Sequence, residues 1–342
     1  MSRCPRRFPH AEKMTMKTLT LQRCIVLAGI MLGGLPVAVH ADDAWPSRTI
    51  AMVVPFPPGG VADTVARPVA QAMSRELRQT VIVENKAGAG GAIGMAQVAK
   101  AAPDGYTVLM SLSSLTTIPE ADKILGRQSM FQLSQLKPIA RFTADPTVLV
   151  VRADSPWQTV KDFVAAARSK PGAYSYSSSG NYGTMHVPME MLKASANIRV
   201  LHVPYTGAGP AVMGLLSGQV DAISTGPASV VQHIKAGKLR ALAHWGNAPL
   251  ASLPNVPSLK EAGYPVEYAQ WSGLFVPAAT PEPIVARLRE VARKVADDPA
   301  VRNTIGTAGS PILYMDTPEF QAYVADDAKK MKDVVQKIGK VE

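Results

Sequence analysis

Glycines, hydroxyls and other small residues gather at four places where a short apolar run gives way to an amphipathic stretch. These are Pro58-Gly59-Gly60 with Asp63, the serines Ser111, Ser113 and Ser114, residues 177–184 with Ser179, Gly180 and Thr184, and Thr206-Gly207-Ala208-Gly209. A helix that begins at such a turn carries free backbone N–H groups and about half a unit of positive charge, enough to hold a carboxylate without a cationic side chain. Taken singly, each segment is also ordinary strand-to-helix turn chemistry. Four together, at the C-terminal ends of strands, fall where open α/β sheets bind ligands. His186, just after the third turn, reads either as a ligand donor or as a packing residue at a helix start.

The chemistry of catalysis and metals has fewer footholds. Past residue 41 the histidines are His186, His202, His233 and His244, and no two have the i,i+4 spacing of helical metal ligands. Gly-x-Ser-x-Gly and P-loop lysine patterns are missing. Gly88-Ala89-Gly90-Gly91-Ala92-Ile93-Gly94 approaches a dinucleotide fingerprint, but Ile93 stands where the last glycine is required, so a tight turn is the better reading. The expectation is therefore no catalytic set, no metal and no cofactor.

The elements that must position these turns follow from periodicity. Residues 49–54 form a near-continuous apolar run ended by Pro55, the pattern of a strand buried on both faces. Val61, Val65, Val69, Met73 and Leu77 then recur every fourth residue as a helix, with Pro68 inside it. Further strands are expected at 81–83, 106–110, 147–151, 174–177, 200–203, 220–223, 239–243 and 272–276. Helices are expected between them, and residues 111–117 are read as a loop. Two amphipathic helices close the chain, through Ile284 to Val295 and through Phe320 to Ile338. Such alternation implies parallel sheets with helices on both faces. Proline and glycine punctuation near 144–156 and 277–283 predicts two crossovers, giving one lobe from 42–146 plus 277–342 and a second from 147–276.

The 342 residues are enough for two such lobes, and 47% hydrophobic against 18% charged residues excludes a disordered chain. A net charge of +10 at first suggests a nucleic-acid or membrane partner. Lys13, Lys17 and Arg23, the apolar run over residues 24–39 and Val39-His40-Ala41 have the layout of a secretory signal peptide, which assigns residues 1–41 to a cleaved leader. Removing it leaves 30 basic and 25 acidic residues, net +5, and takes both cysteines, Cys4 and Cys24. The expected mature protein is thiol-free, exported to the periplasm and without a nucleic-acid partner.

Several ordered motifs then carry a family likeness. Val54-Pro55-Phe56-Pro57-Pro58-Gly59-Gly60 with Asp63 and Arg67, Val83-Glu84-Asn85-Lys86-Ala87-Gly88-Ala89-Gly90-Gly91 and Pro103-Asp104-Gly105-Tyr106-Thr107 resemble the solute-binding proteins of tripartite tricarboxylate transporters, the Bug family. His202-Val203-Pro204-Tyr205, Gly218-Gln219-Val220-Asp221, Ala236-Gly237-Lys238-Leu239-Arg240 and Leu253-Pro254-Asn255-Val256-Pro257 continue it, from about Trp45 to the C-terminus. The chain departs from the family pattern at Phe131-Gln132 and Gln135-Leu136, where Tyr-Asp and Asp-Phe are common.

The resemblance implies a type II periplasmic binding protein fold: two α/β lobes with mixed, mostly parallel sheets and a ligand cleft between them. It also implies a non-catalytic, monomeric receptor that carries a small organic carboxylate to a tripartite-type permease. Carried over residue by residue, it points to Phe56, Pro58, Gly59 and Gly60 on one lobe and Ser179, Gly180, Thr184 and His186 on the other. Asp63, Ser111, Ser113, Ser114, Tyr205 and Thr225 complete the candidate ligand-binding set. Two alternatives stay open on the residues alone: a secreted enzyme acting on a small carboxylic acid, and the effector domain of a regulator.

Overall fold

The computed structural model describes residues 45–341, and the leader assigned to residues 1–41 lies outside them. The chain opens with strand β1 (Ile50–Val54), whose Met52, Val53 and Val54 are fully buried. Helix α1 (Val61–Leu77) follows and keeps Pro68 inside one continuous element. Then come β2 (Val81–Asn85), α2 (Ala92–Ala99), β3 (Thr107–Leu112), α3 (Ser114–Ile124) and β4 (Leu136–Pro146). The chain crosses over at Thr147.

Beyond the crossover lie β5 (Val148–Arg152), α4 (Val160–Ser169), β6 (Ser175–Ser178), α5 (His186–Ala196), β7 (Leu201–Pro204) and α6 (Ala208–Leu216). They are followed by β8 (Ala222–Thr225), α7 (Val231–Lys235) and β9 (Leu239–His244). The return is made by β10 (Ala269–Pro277), and α8 (Glu282–Asp297), α9 (Pro299–Thr307) and α10 (Thr317–Ile338) close the chain.

Two five-stranded sheets result, ordered β2-β1-β3-β10-β4 and β7-β6-β8-β5-β9. In each, three strands pair in parallel through strand–helix–strand units, as in Met52 opposite Val83 and Tyr176 opposite Ala222. In each, the strand made on arrival from the other sheet runs against its neighbours: β10 between β3 and β4, and β5 between β8 and β9. The sheets are therefore mixed, with four strands pointing one way and one the other.

Three expectations need correction. Strand β10 pairs in the first sheet along its whole length, so the return precedes Ala269; a second boundary near Pro277 would sit at the wrong end of that strand. Strand β4 carries Lys137, Pro138 and Arg141, which broke the apolar pattern; it is the last strand of its sheet, where a proline or a charge is tolerated. The serine segment is no loop, since β3 runs to Leu112 and α3 starts at Ser114.

Each sheet has its own core. In the first, Trp271 meets Phe320 edge-on with ring centroids 5.5 Å apart; in the second, Trp157 does the same with Phe163 at 5.1 Å and Tyr174 at 5.0 Å. Helix α10 belongs to both, placing Phe320 and Val324 in the first core and Met331 and Val334 against the second. Phe131, from the segment that departs from the family pattern, is buried in the first core.

Candidate functional site

A narrow cavity of about 10 Å³, the room of roughly one water, lies between the C-terminal ends of strands from both sheets. Three helices begin on it. Val61 and Ala62 bring the start of α1, Thr184 and Met185 the approach to α5, and Ala208 the start of α6. Among the described residues no side chain caps the starts of α1 and α6, so their first N–H groups and partial positive charge are available to an anion. At α5 the His186 and Val187 N–H groups already donate to the Gly183 carbonyl at 3.0 and 3.1 Å and Pro188 has none, so that start offers only its partial charge.

Side chains reinforce the pattern. Ser179 Oγ, Thr225 Oγ1 and Gln270 Nε2 are buried on the cavity wall and have no hydrogen-bond partner among the described residues. Buried polar groups are nearly always satisfied, and three unsatisfied ones around one space indicate a ligand or ordered water. Phe56 and Leu112 make an apolar wall, and among the described residues no charged side chain lines the cavity. Two larger surface cavities, of about 470 and 490 Å³, lie elsewhere against α10, and neither is lined by a helix N-terminus.

The turns of the two sheets meet across this cleft. A β-carbon on Gly207 would lie 2.3 Å from Pro57 Cδ, and one on Gly180 would lie 3.2 Å from the Gly90 nitrogen. Thr117 Oγ1 also donates to the Tyr182 carbonyl at 2.6 Å. The lobes thus meet so tightly that their cavity has room for about one water, and an organic acid bound there would hold them further apart; glycine is what lets backbone meet backbone.

Of the candidate residues, Phe56, Gly60, Ser179, Thr184 and Thr225 line the cavity together. Pro58 and Gly59 are exposed and do not line it, and Gly180 forms the contact with Gly90. The others face elsewhere. Asp63 accepts from the Gly59 N–H at 3.0 Å, from Arg67 at 2.9 and 2.8 Å and from Asn85 Nδ2 at 3.0 Å. Burial alone would raise its pKa, but these donors hold it below the usual carboxylate range, and its work is to fix the first turn. Ser113 Oγ lies 3.1 Å from the Tyr268 hydroxyl, Ser114 Oγ donates to the Gly90 carbonyl at 3.3 Å, and Ser111 Oγ donates to the Leu112 carbonyl at 3.4 Å.

Tyr205 donates to Gln219 Oε1 at 3.1 Å and does not line the cavity. His186 is fully buried: its Nδ1 accepts the Tyr182 N–H at 3.1 Å, and its ring packs 4.3 Å from that of His202. Burial, helped by the Lys193 charge, pushes its pKa down to about 3, so the ring is neutral and acts as a packing residue behind the turn. Gln270, Leu112 and Met185 line the cavity without having been singled out from the sequence. Gln270 and Ser272 flank Trp271 in a strand that is otherwise apolar, and that pair of polar residues was the signal that could have found Gln270.

Two lobes with matching sheet orders, closed over a cleft rich in helix N-termini, define a type II periplasmic binding protein. The chain belongs to a particular branch of that class: residues 65–340 match the model of the tripartite tricarboxylate transporter family receptor. A relative from Pseudomonas sp. (strain P51), the UPF0065 protein in the tcbD-tcbE intergenic region, is 38% identical over 289 residues, covering 83% of this chain and 85% of its own. Among solved structures, the periplasmic binding protein BugD is similar with a TM-score of 0.81 and 31% identity over 86% of this chain and 98% of its own. MatC from Rhodopseudomonas palustris, solved with bound malate, is similar with a TM-score of 0.79 and 30% identity over 85% of this chain and all of its own. This family and its structural neighbours are solute receptors rather than enzymes, and the chain is a receptor of that kind.

Proposed function

We propose that this receptor works in the periplasm as a monomer, closing two lobes on a small organic carboxylate and presenting it to a tripartite-type permease. Its lobes are residues 45–146 with 269–341, and residues 147–268. The observation that carries the reading is the convergence of two helix starts with free N–H groups, and the partial charge of a third, with three buried side-chain atoms that lack a partner among the described residues, on a cavity lined by no charged side chain among them. A carboxylate supplies what these groups lack, several acceptor lone pairs and one negative charge. Hydrogen bonds to a charged group contribute about 1.5–3 kcal/mol each, so three or four offset the cost of ordering a ligand and closing the lobes. Among the described residues no His, Cys, Asp or Glu lines the cavity, and a general base is drawn from such side chains.

Isothermal titration of the mature protein with malate, succinate, adipate and citrate tests the reading. At least one acid should bind with a micromolar or tighter Kd, raising the melting temperature as its concentration passes that Kd. Neither heat nor a thermal shift with any of them at millimolar concentration would sink it.

A further inference from the structure

Gln270 is 2% exposed, and its Nε2 has no partner although a buried amide N–H without an acceptor is costly. It stands opposite Asp145 in the register of β10 and β4, yet no bond joins its Nε2 to that carboxylate. Instead the residue lines the cavity, where a β-carbon on Gly226 of the second lobe would come 3.2 Å from Nε2. Everything else the first lobe brings to the wall is backbone or apolar: Phe56, Leu112 and the start of α1. Among the described residues, Gln270 is therefore the first lobe's one polar side chain in the lining. The hydroxyls of Ser179 and Thr225 can donate or accept, whereas an amide N–H only donates.

We propose that Gln270 is the specificity-determining residue through which the first lobe recognises an anionic ligand, its Nε2–H donating to the ligand carboxylate. This rests on the carboxylate-receptor reading and adds to it a single side chain that separates an acid from its neutral analogue. The same atom ties the ligand to the strand that carries the chain back from the second lobe, since the adjacent Ala269 pairs with Pro146 beside the first crossover.

The test compares malate with its uncharged diamide on wild type, Gln270→Glu and Gln270→Met. The glutamate variant keeps the shape and places a negative charge beside the carboxylate; its malate affinity should fall about a hundredfold or more while its diamide affinity holds or rises. The methionine variant removes only the donor and should weaken malate about tenfold, with the ligand-free melting temperature within about 3 °C of wild type. Malate binding within about threefold of wild type in either folded variant overturns the proposal. So does an equal loss for malate and diamide, which is what a purely structural role would give. If wild type binds malate and the variants bind it equally well, only the assignment of Gln270 fails. If wild type binds none of the four acids, the carboxylate-receptor reading itself fails and takes the assignment with it.

Discussion

Asp145, the register partner of Gln270, is 3% exposed, and burial pushes its carboxyl up to about 7 against the opposing pull of Ser310, Thr143 and Arg141. A carboxyl with a raised native pKa binds its proton more tightly folded than unfolded. Its contribution to stability is neutral at low pH, turns unfavourable as pH rises from about 4 to about 7, and is constant above. Asp145→Asn should therefore gain stability relative to wild type across that window. Melting temperatures from pH 4 to 8 check this, and a difference that shrinks with rising pH would contradict it. At this scale the site was half legible. Gly60, Ser179 and Thr184 stood out because a strand-to-helix turn needs glycine and hydroxyls, while Gln270 lies just ahead of the 272–276 run read as a strand, where a polar residue looks like the approach to a strand. Asp63 and His186 carried the right chemistry in the right segments, but the fold uses them to hold the turns rather than the cavity.

Among the elements, the strand-to-helix units were readable because buried parallel strands and amphipathic helices have different periods. Edge strand β4 was not, because an edge strand has a neighbouring strand on one side only and so admits the buried Pro138 and the half-buried Arg141. The antiparallel placement of β10 was invisible for another reason: local pattern says that a strand exists, not which neighbours it inserts between. The turns that meet across the cleft give a direct prediction. Gly207 precedes α6 with φ 164°, extended backbone that any residue adopts, so its need for glycine is spatial and comes from Pro57 across the cleft. Gly207→Ala should leave each lobe intact but hinder closure. Malate affinity should drop about tenfold with little change in ligand-free melting temperature, and unchanged affinity would show that the lobes close without this contact.

For the whole molecule, the basic charge that first pointed to nucleic acid would be halved by removal of residues 1–41 as a leader, and the proposed recognition rests on helix starts and neutral donors. Helix α10 reaches both cores, so it must slide or hinge with one lobe when the cleft opens. The two inserted strands also make the lobes unequal in the order of their making. Residues 147–268 supply all five strands of the second sheet, whereas the first sheet needs β10 to fill the gap between β3 and β4. A fragment of residues 147–268 should therefore retain sheet structure by circular dichroism, and one of residues 45–146 should not; the opposite result would refute this. A chain released N-terminus first can complete its second lobe while β3 still shows an unpaired edge, the kind of surface on which nascent chains aggregate. Residues 147–268, which must appear before the gap is filled, thus set how long that edge waits for cover.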